Sequence, residues 1–182
     1  MILLAFAPFI VFVIVDRFAG SLAGLAAGAI TSAILLIYDF VTPKRSVKIL
    51  EFGTFILFGG LTAYTYLSHK DWSVFGVRLF VDGGLLVILL LSMALRRPFT
   101  IQYARERVPK EAWTSPEFLR TNYIITAAWA VAFAAMALID ILMISMPGAP
   151  ARLGIFVTIA AIWGAYHFTQ WYPARTRSKV VR

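Results

Sequence analysis

Five long apolar runs dominate this sequence. They cover residues 18–41, 49–67, 74–95, 123–146 and 152–172. A helix of about 20 residues crosses a hydrocarbon core of about 30 Å, so each run is long enough to span a bilayer. None alternates like a membrane β-strand, and backbone amides inside lipid need internal partners. The sequence therefore predicts an all-α fold: a polytopic membrane helical bundle forming a single domain over residues 1–182.

The first apolar stretch, residues 2–15, is shorter than the other five. At 1.5 Å per residue it reaches only about 21 Å, which predicts a short N-terminal helix that is tilted, re-entrant or interfacial. It lacks a basic n-region and a small-residue cleavage site, so we interpret it as retained structure and not as a signal peptide. The composition agrees with a membrane protein, since 60% of residues are hydrophobic and 14% are charged.

The formal net charge of +8 is distributed unevenly between the apolar runs. If the five long helices alternate across the bilayer, one side receives Lys44, Arg45, Lys48, Arg96, Arg97, Arg105, Arg107, Lys110, Arg120, Arg175, Arg177, Lys179 and Arg182. The other side receives only Arg17, Lys70 and Arg152. The positive-inside rule places the basic side, with the tail of residues 173–182 and the C-terminus, in the cytoplasm.

Residues 96–122 form a predicted cytoplasmic loop that mixes charges with aromatic rings. Phe99, Tyr103, Trp113 and Phe118 are expected at headgroup depth, where neighbouring arginines meet lipid phosphate. The candidate contacts with anionic lipids or a partner protein are Arg96, Arg97, Arg105, Arg107, Lys110 and Trp113. The charges are most simply topology determinants, and this interpretation is favoured over nucleic-acid binding.

Two prolines limit helix formation in this loop. Pro109 prevents one continuous helix. The motif "TSPE" predicts Thr114 as an N-cap, Glu117 as its capping-box partner and Pro116 in the first turn of a helix that begins near Ser115.

Small residues at four-residue intervals form a narrow ridge on the helix of residues 18–41. The ridge consists of Gly20, Gly24, Gly28 and Ser32. In lipid, close backbone approach supplies much of the energy of helix association. Packing within one chain is favoured over the alternative, in which a homo-oligomer or a partner helix of a larger complex docks on the ridge.

Three ionisable residues are expected deep in the membrane. Arg78 and Asp82 are four residues apart and share a helix face, and Asp140 lies at a similar depth. They form a candidate intramembrane polar cluster, which Asp16 or Arg17 could join. Cohesion is favoured over a proton or ion pathway, because an arginine partner keeps both carboxylates ionised. A second group could form towards the cytoplasmic side from Asp39, Glu51 and His167.

Catalytic and metal-binding patterns are not found in the sequence. Cysteine is absent, which excludes disulfides and thiolate chemistry. There is no nucleophile motif, phosphate-binding loop or zincin pattern, and a lone membrane-depth histidine is a weak argument for a metal. The sequence therefore predicts no catalytic residue, no metal site and no cofactor.

The order of several motifs resembles the bacterial intracellular septation protein A family, also described as inner membrane-spanning proteins. The motifs are the short Pro8-containing start, "ILLIYDFV" at 34–41, "FGGLT" at 58–62, "RRPF" at 96–99 and "WAVAF" at 129–133. This resemblance implies a multi-pass protein of the bacterial inner membrane with a part in envelope maintenance, cell elongation or septation. It implies no catalytic residue, and envelope or division proteins as partners.

The leading hypothesis is therefore a non-enzymatic membrane scaffold. Its helices would anchor it, and its cytoplasmic loop would contact lipids or partner proteins. One alternative is a small transporter or ligand-binding bundle built around Arg78, Asp82 and Asp140. Another is an accessory subunit of a larger membrane complex.

Overall fold

The described part of the chain is helical, with no strand. The computed structural model describes residues 2–42, 47–69, 71–106, 108–146 and 148–180, without the side chains of residues 2, 3 and 176–180. The helices are α1 (Ile2–Ala5), α2 (Ala7–Ala19), α3 (Ser21–Val41), α4 (Ile49–Ser68), α5 (Val74–Ala94), α6 (Phe99–Arg105), α7 (Pro116–Ser145) and α8 (Ala151–Val180). A 3-10 turn covers Lys110–Ala112. The predicted all-α fold is confirmed.

Four of the described helices are long and apolar enough to cross a membrane. They are α3, α5, α7 and the Ala151–Arg175 portion of α8. The sequence predicted five such helices, and α4 is the one that falls short of this criterion. Its sequence, "ILEFGTFILFGGLTAYTYLS", interrupts the aliphatic residues with a glutamate, glycines, threonines and tyrosines, which lower its mean hydropathy. The chain is a helical membrane protein.

The chain divides into two compact units, and the single membrane domain predicted from the sequence stays a prediction. Unit 1 is Met1–Ile88 and unit 2 is Leu89–Arg182. Helix α5 contributes residues to both units. The two units are described separately below.

Unit 1 begins with a helical hairpin that turns at Gly20. The Gly20 backbone has φ 83° and ψ 170°, and its N–H donates to the Asp16 carbonyl at 3.1 Å. Glycine adopts this conformation without the steric cost that a Cβ would bring. The expected helix start at Phe18 was wrong, because Phe18 belongs to α2 and α3 begins after the turn. The expected 2–15 helix reaches Ala19 and is interrupted at Phe6, two residues before Pro8.

Helix α4 runs antiparallel to both α3 and α5. On the α3 side, a Cβ at Gly28 would lie 2.7 Å from the Phe58 ring, and Ser32 Oγ donates to Thr54 Oγ1 at 3.3 Å. On the α5 side, a Cβ at Gly84 would lie 2.3 Å from a Leu57 methyl. Small residues therefore allow α4 to approach both neighbours closely, as expected for helices packed in lipid.

Unit 2 is built on the antiparallel pair α7 and α8. Trp129 Nε1 donates to Thr169 Oγ1 at 2.9 Å, which fixes the register between the two helices. Ser115 is the N-cap of α7, since its Oγ accepts from the Phe118 N–H at 3.2 Å. The Thr114 cap predicted from the sequence was therefore wrong by one residue. Helix α8 continues through Pro173, so the predicted tail of residues 173–182 begins inside a helix.

Candidate functional site

The region predicted as a loop at residues 96–122 is ordered, and short helix α6 is fixed onto α7. Thr100 Oγ1 donates to the Asn122 carbonyl at 2.9 Å and lies 2.9 Å from Thr126 Oγ1. A hydroxyl has one proton, so the Thr126 hydroxyl donates to Thr100. All three residues are buried. These bonds hold α6 in one position along α7.

The start of α6 is also bonded to the end of α5. The Phe99 N–H donates to Ser92 Oγ at 3.3 Å, and Tyr123 OH donates to the Met93 carbonyl at 3.4 Å. Phe99 and Tyr103 pack edge to face at 6.2 Å, and both are buried in the protein. Both rings therefore pack against protein atoms, and their headgroup depth stays a prediction.

We call the buried residues that hold α6 on α7, namely Thr100, Asn122 and Thr126, the frame. The basic residues on either side of α6 are exposed. We call Arg96, Arg97, Arg105, Lys110 and Trp113 the basic platform. Its four basic side chains are exposed, and Trp113 is half-buried. Arg107, which the sequence also predicted as a contact, lies outside the described residues. The platform thus combines a rigid, uncharged base with solvent-facing positive charge.

Arg105 and Trp113 form a stacked pair. The Arg105 guanidinium carbon lies 5.0 Å from the centroid of the Trp113 ring, within the range of a cation–π contact. Trp113 Nε1 donates to the Val108 carbonyl at 3.2 Å, which fixes the plane of the indole. A guanidinium in a cation–π contact still carries N–H donors that can bind a planar or tetrahedral anion.

Arg96 occupies a backbone conformation that usually belongs to glycine. Its φ is 57°, in the left-handed region. The Arg96 N–H donates to the Met93 carbonyl at 3.0 Å and the Arg97 N–H to the Ser92 carbonyl at 2.9 Å. These two bonds are the pattern of a Schellman motif, in which glycine is the commonest residue at the left-handed position.

A second arginine–tryptophan pair lies on α8, and the sequence interpretation missed it. The Arg175 guanidinium carbon is 5.1 Å from the centroid of the Trp171 ring. The two residues are four apart on a helix, a spacing that could have identified the pair. The register set by Trp129 and Thr169 makes Arg175 level with Tyr123 on α7, the part of α7 that α6 contacts.

The three residues of the predicted intramembrane cluster fall in different units. Arg78 and Asp82 lie on α5 in unit 1, and Asp140 lies on α7 in unit 2. Both aspartates are 0% exposed, and the Arg78 guanidinium carbon is 5.9 Å from the Phe75 ring centroid. The joint cluster stays a prediction. Asp16, its possible fourth member, accepts a hydrogen bond from Ser21 Oγ at 2.8 Å.

A buried ion-pair group joins the end of α3 to the start of α4. Lys48 Nζ forms an ion pair with Asp39 Oδ2 and lies 3.7 Å from Glu51 Oε1. Asp39 and Glu51 were predicted as possible members of one group with His167. Lys48, which was counted among the topology charges of the cytoplasmic side, is 2% exposed. His167 lies in unit 2, where it is exposed and stacks on Trp163 with ring centroids 5.3 Å apart.

The predicted glycine ridge packs largely inside unit 1. A Cβ at Gly24 would lie 2.8 Å from Asp16 Cβ on α2, whereas Gly28 and Ser32 contact α4. Gly20 departs from the ridge because it forms the turn before α3. Among the residues that the structure describes, no group of three or more His, Asp or Glu side chains could hold a metal ion.

Comparison with other proteins does not assign this chain to a family. No protein-family model, curated protein or solved structure matches it. The functional argument therefore depends on the geometry of the chain itself.

Proposed function

We propose that this protein is a non-enzymatic scaffold of the bacterial inner membrane. Its helices anchor the chain, and the basic platform contacts lipids or acidic partner proteins at the cytoplasmic surface. The motif order shared with the septation protein A family supports a role in envelope maintenance, elongation or septation. That resemblance is the reason for expecting division or envelope proteins among the partners.

A cytoplasmic location of both the basic platform and the end of α8 requires that α4 also crosses the membrane. At 20 residues α4 is about 30 Å long, and it packs antiparallel on both α3 and α5. A helix paired lengthwise with two membrane-spanning neighbours shares their depth. With α4 included, the basic platform and the end of α8 fall on the cytoplasmic side, where excess Lys and Arg are retained.

One observation carries the scaffold proposal: the exposed charges are mounted on a frame fixed by buried hydrogen bonds. Thr100, Asn122 and Thr126 fix α6 without using any charged side chain. The charges therefore contribute little to holding the frame together. A surface that is ordered before it meets its partner loses less conformational entropy on binding.

Crosslinking in living cells tests this proposal. A photo-crosslinking amino acid at Glu117, exposed in the first turn of α7, should capture a small, reproducible set of membrane or division proteins. The matched control is Ser145, which is exposed in the last turn of the same helix. Equal capture at both positions, or lipid adducts alone at Glu117, would count against a protein scaffold.

The buried aspartates favour a second candidate, a small transporter or ligand-binding bundle. Asp82 and Asp140 lie inside membrane-spanning helices with 0% exposure, and ionisable residues at such depth often mark a transport pathway. A pathway requires water beside them. A cohesive role for the same carboxylates requires only buried polar partners.

Thiol chemistry distinguishes the two candidates. A Cβ added at Gly83, the neighbour of Asp82, would meet nothing within 4 Å, so Gly83→Cys introduces a thiol without a clash. Methanethiosulfonate reagents modify the ionised thiol, which needs water. Rapid modification of this cysteine would favour the transporter, whereas complete protection would favour the scaffold.

A further inference from the structure

The chemistry of the basic platform identifies one class of partner more closely than the scaffold proposal does. One of its cations, Arg105, makes a cation–π contact with Trp113, and the others, Arg96, Arg97 and Lys110, also lie between the end of α5 and the start of α7. Tryptophan is enriched at the headgroup layer of membranes, and arginine binds phosphate through its fork of N–H donors. This combination fits the phosphodiester of an anionic phospholipid.

We propose that the Arg105–Trp113 pair and Arg96 bind the headgroups of anionic phospholipids such as phosphatidylglycerol. This inference rests on the proposed function, because it assumes that the platform faces the cytoplasmic leaflet. It goes further by naming the ligand. Three observations carry it, namely the cation–π contact of Arg105, the strained backbone at Arg96 and a second arginine–tryptophan pair on α8.

The first observation is the fixed orientation of Arg105. Its guanidinium lies on the Trp113 indole, and the indole is held by its bond to the Val108 carbonyl. Arg105 is exposed while Trp113 is half-buried, so the indole is partly shielded from water and the cation faces outward. A preorganised cation at headgroup depth meets a phosphate without first losing the freedom of a long side chain.

The second observation is the left-handed backbone at Arg96. A non-glycine residue with positive φ carries backbone strain, and residues of this kind cluster at functional sites. A positive charge also interacts favourably with the C-terminus of α5, but Arg97 supplies that charge with an ordinary backbone. The helix end therefore does not account for arginine in place of glycine at position 96.

The third observation is the position of the second arginine–tryptophan pair along α8. Trp171 and Arg175 on α8 are level with the part of α7 that α6 contacts. Two such pairs at one end of the same unit are the pattern of an interfacial belt, in which indoles lie among headgroups and cations reach phosphate. A flat lipid surface meets both pairs, whereas one acidic peptide segment would follow only one line across them.

Thermal unfolding of the full-length protein in mild detergent provides the test. Added phosphatidylglycerol should raise the Tm more than phosphatidylcholine with the same acyl chains, and higher salt should reduce the difference. Arg105→Gln and Trp113→Leu should each remove about half of the phosphatidylglycerol shift or more, since each breaks the stacked pair. Arg152→Gln, which removes an exposed basic residue from the first turn of α8, should leave the phosphatidylglycerol shift unchanged.

Arg96→Gly separates binding from folding. Without added lipid it should raise the Tm by about 2–4 °C, because glycine relieves the backbone strain. With phosphatidylglycerol the same variant should show a smaller lipid-dependent shift than the wild type. A merely structural role for Arg96 predicts the first effect without the second, and that outcome would overturn its assignment as a lipid contact.

Three further results would overturn the inference. They are an equal Tm shift with the two lipids, an equal loss of shift in Arg152→Gln and Arg105→Gln, and a full shift with inorganic phosphate alone. A polyglutamate peptide that raises the Tm as much as phosphatidylglycerol does would assign the surface to acidic proteins instead. The crosslinking experiment at Glu117 can fail while this one succeeds, so the two proposals are separately testable.

Discussion

Lys48, the residue that precedes α4, forms a buried ion pair with Asp39 in the last turn of α3. Burying two charges costs several kcal/mol each, so their attraction has to offset a large desolvation term. Glu51, in the first turn of α4, lies 3.7 Å from the same ammonium group. The group joins the two helices across a connection of which residues 43–46 lie outside the described structure.

Removing the lysine should therefore destabilise unit 1. Lys48→Met leaves two buried carboxylates without their cation, and we expect a loss of about 3–5 kcal/mol in the free energy of unfolding. Denaturation in mixed micelles measures it. The double variant Asp39→Asn/Lys48→Met should recover about half of that loss, because the directly paired charge is removed together with its partner. An unchanged unfolding curve for Lys48→Met would contradict the ion-pair assignment.

The two classes of glycine in unit 1 should respond differently to a methyl group. Gly28→Ala places a Cβ 2.7 Å from the Phe58 ring, which is a steric clash. We expect it to lower the free energy of unfolding by about 1–3 kcal/mol. Gly60→Ala on α4 meets nothing within 4 Å and should be neutral or stabilising by about 0.5–1 kcal/mol. The same micelle denaturation measures both variants. Equal destabilisation by the two would rule out close packing of α3 on α4 at Gly28.

Substitutions at two adjacent residues, Thr114 and Ser115, show which of them is the N-cap of α7. Ser115→Ala removes the oxygen that accepts from the Phe118 N–H and should cost about 1 kcal/mol. Thr114→Ala removes an exposed neighbour and should change stability by less than about 0.5 kcal/mol. Thermal unfolding of the two variants compares them. A larger loss for Thr114→Ala would restore the cap predicted from the sequence.

The hydroxyl pair beneath α6 should control the rigidity of the basic platform. Thr100→Val keeps the side-chain shape but removes a buried donor, which should cost about 1–3 kcal/mol and speed hydrogen exchange across Phe99–Arg105. Thr31→Val is the control, because its hydroxyl bonds only the Ala27 carbonyl of its own helix at 2.8 Å. Unchanged exchange in α6 of Thr100→Val would show that the frame is held by other contacts.

The helices were the most predictable part of the fold. Long apolar runs indicate membrane helices because few other structures satisfy the backbone in lipid, and α3, α5 and α7 end within two residues of the predicted C-terminal limits. Gly20 was placed inside a helix because its four-residue spacing also fits a packing ridge. Only the φ of 83° distinguishes the turn from the ridge.

The candidate site was less predictable, because it depends on contacts distant in sequence. The composition of residues 96–122 indicated charge and aromatic rings, and Arg105 and Trp113 were named. Burial of Phe99 depends on α6 folding back onto α7, which no local pattern encodes. Lys48 was counted among the topology charges of the cytoplasmic side, and its ion pair was not predicted because its partner Asp39 lies on a different helix.

The most direct test of the proposed scaffold is the sidedness of the two ends of α7. The natural chain has no cysteine, so Lys110→Cys and Arg152→Cys each introduce a single thiol at an exposed position. A membrane-impermeant maleimide added to intact cells should label Arg152→Cys and leave Lys110→Cys unmodified until the membrane is opened. Labelling of Lys110→Cys from outside would place the basic platform on the wrong side and contradict the proposed orientation.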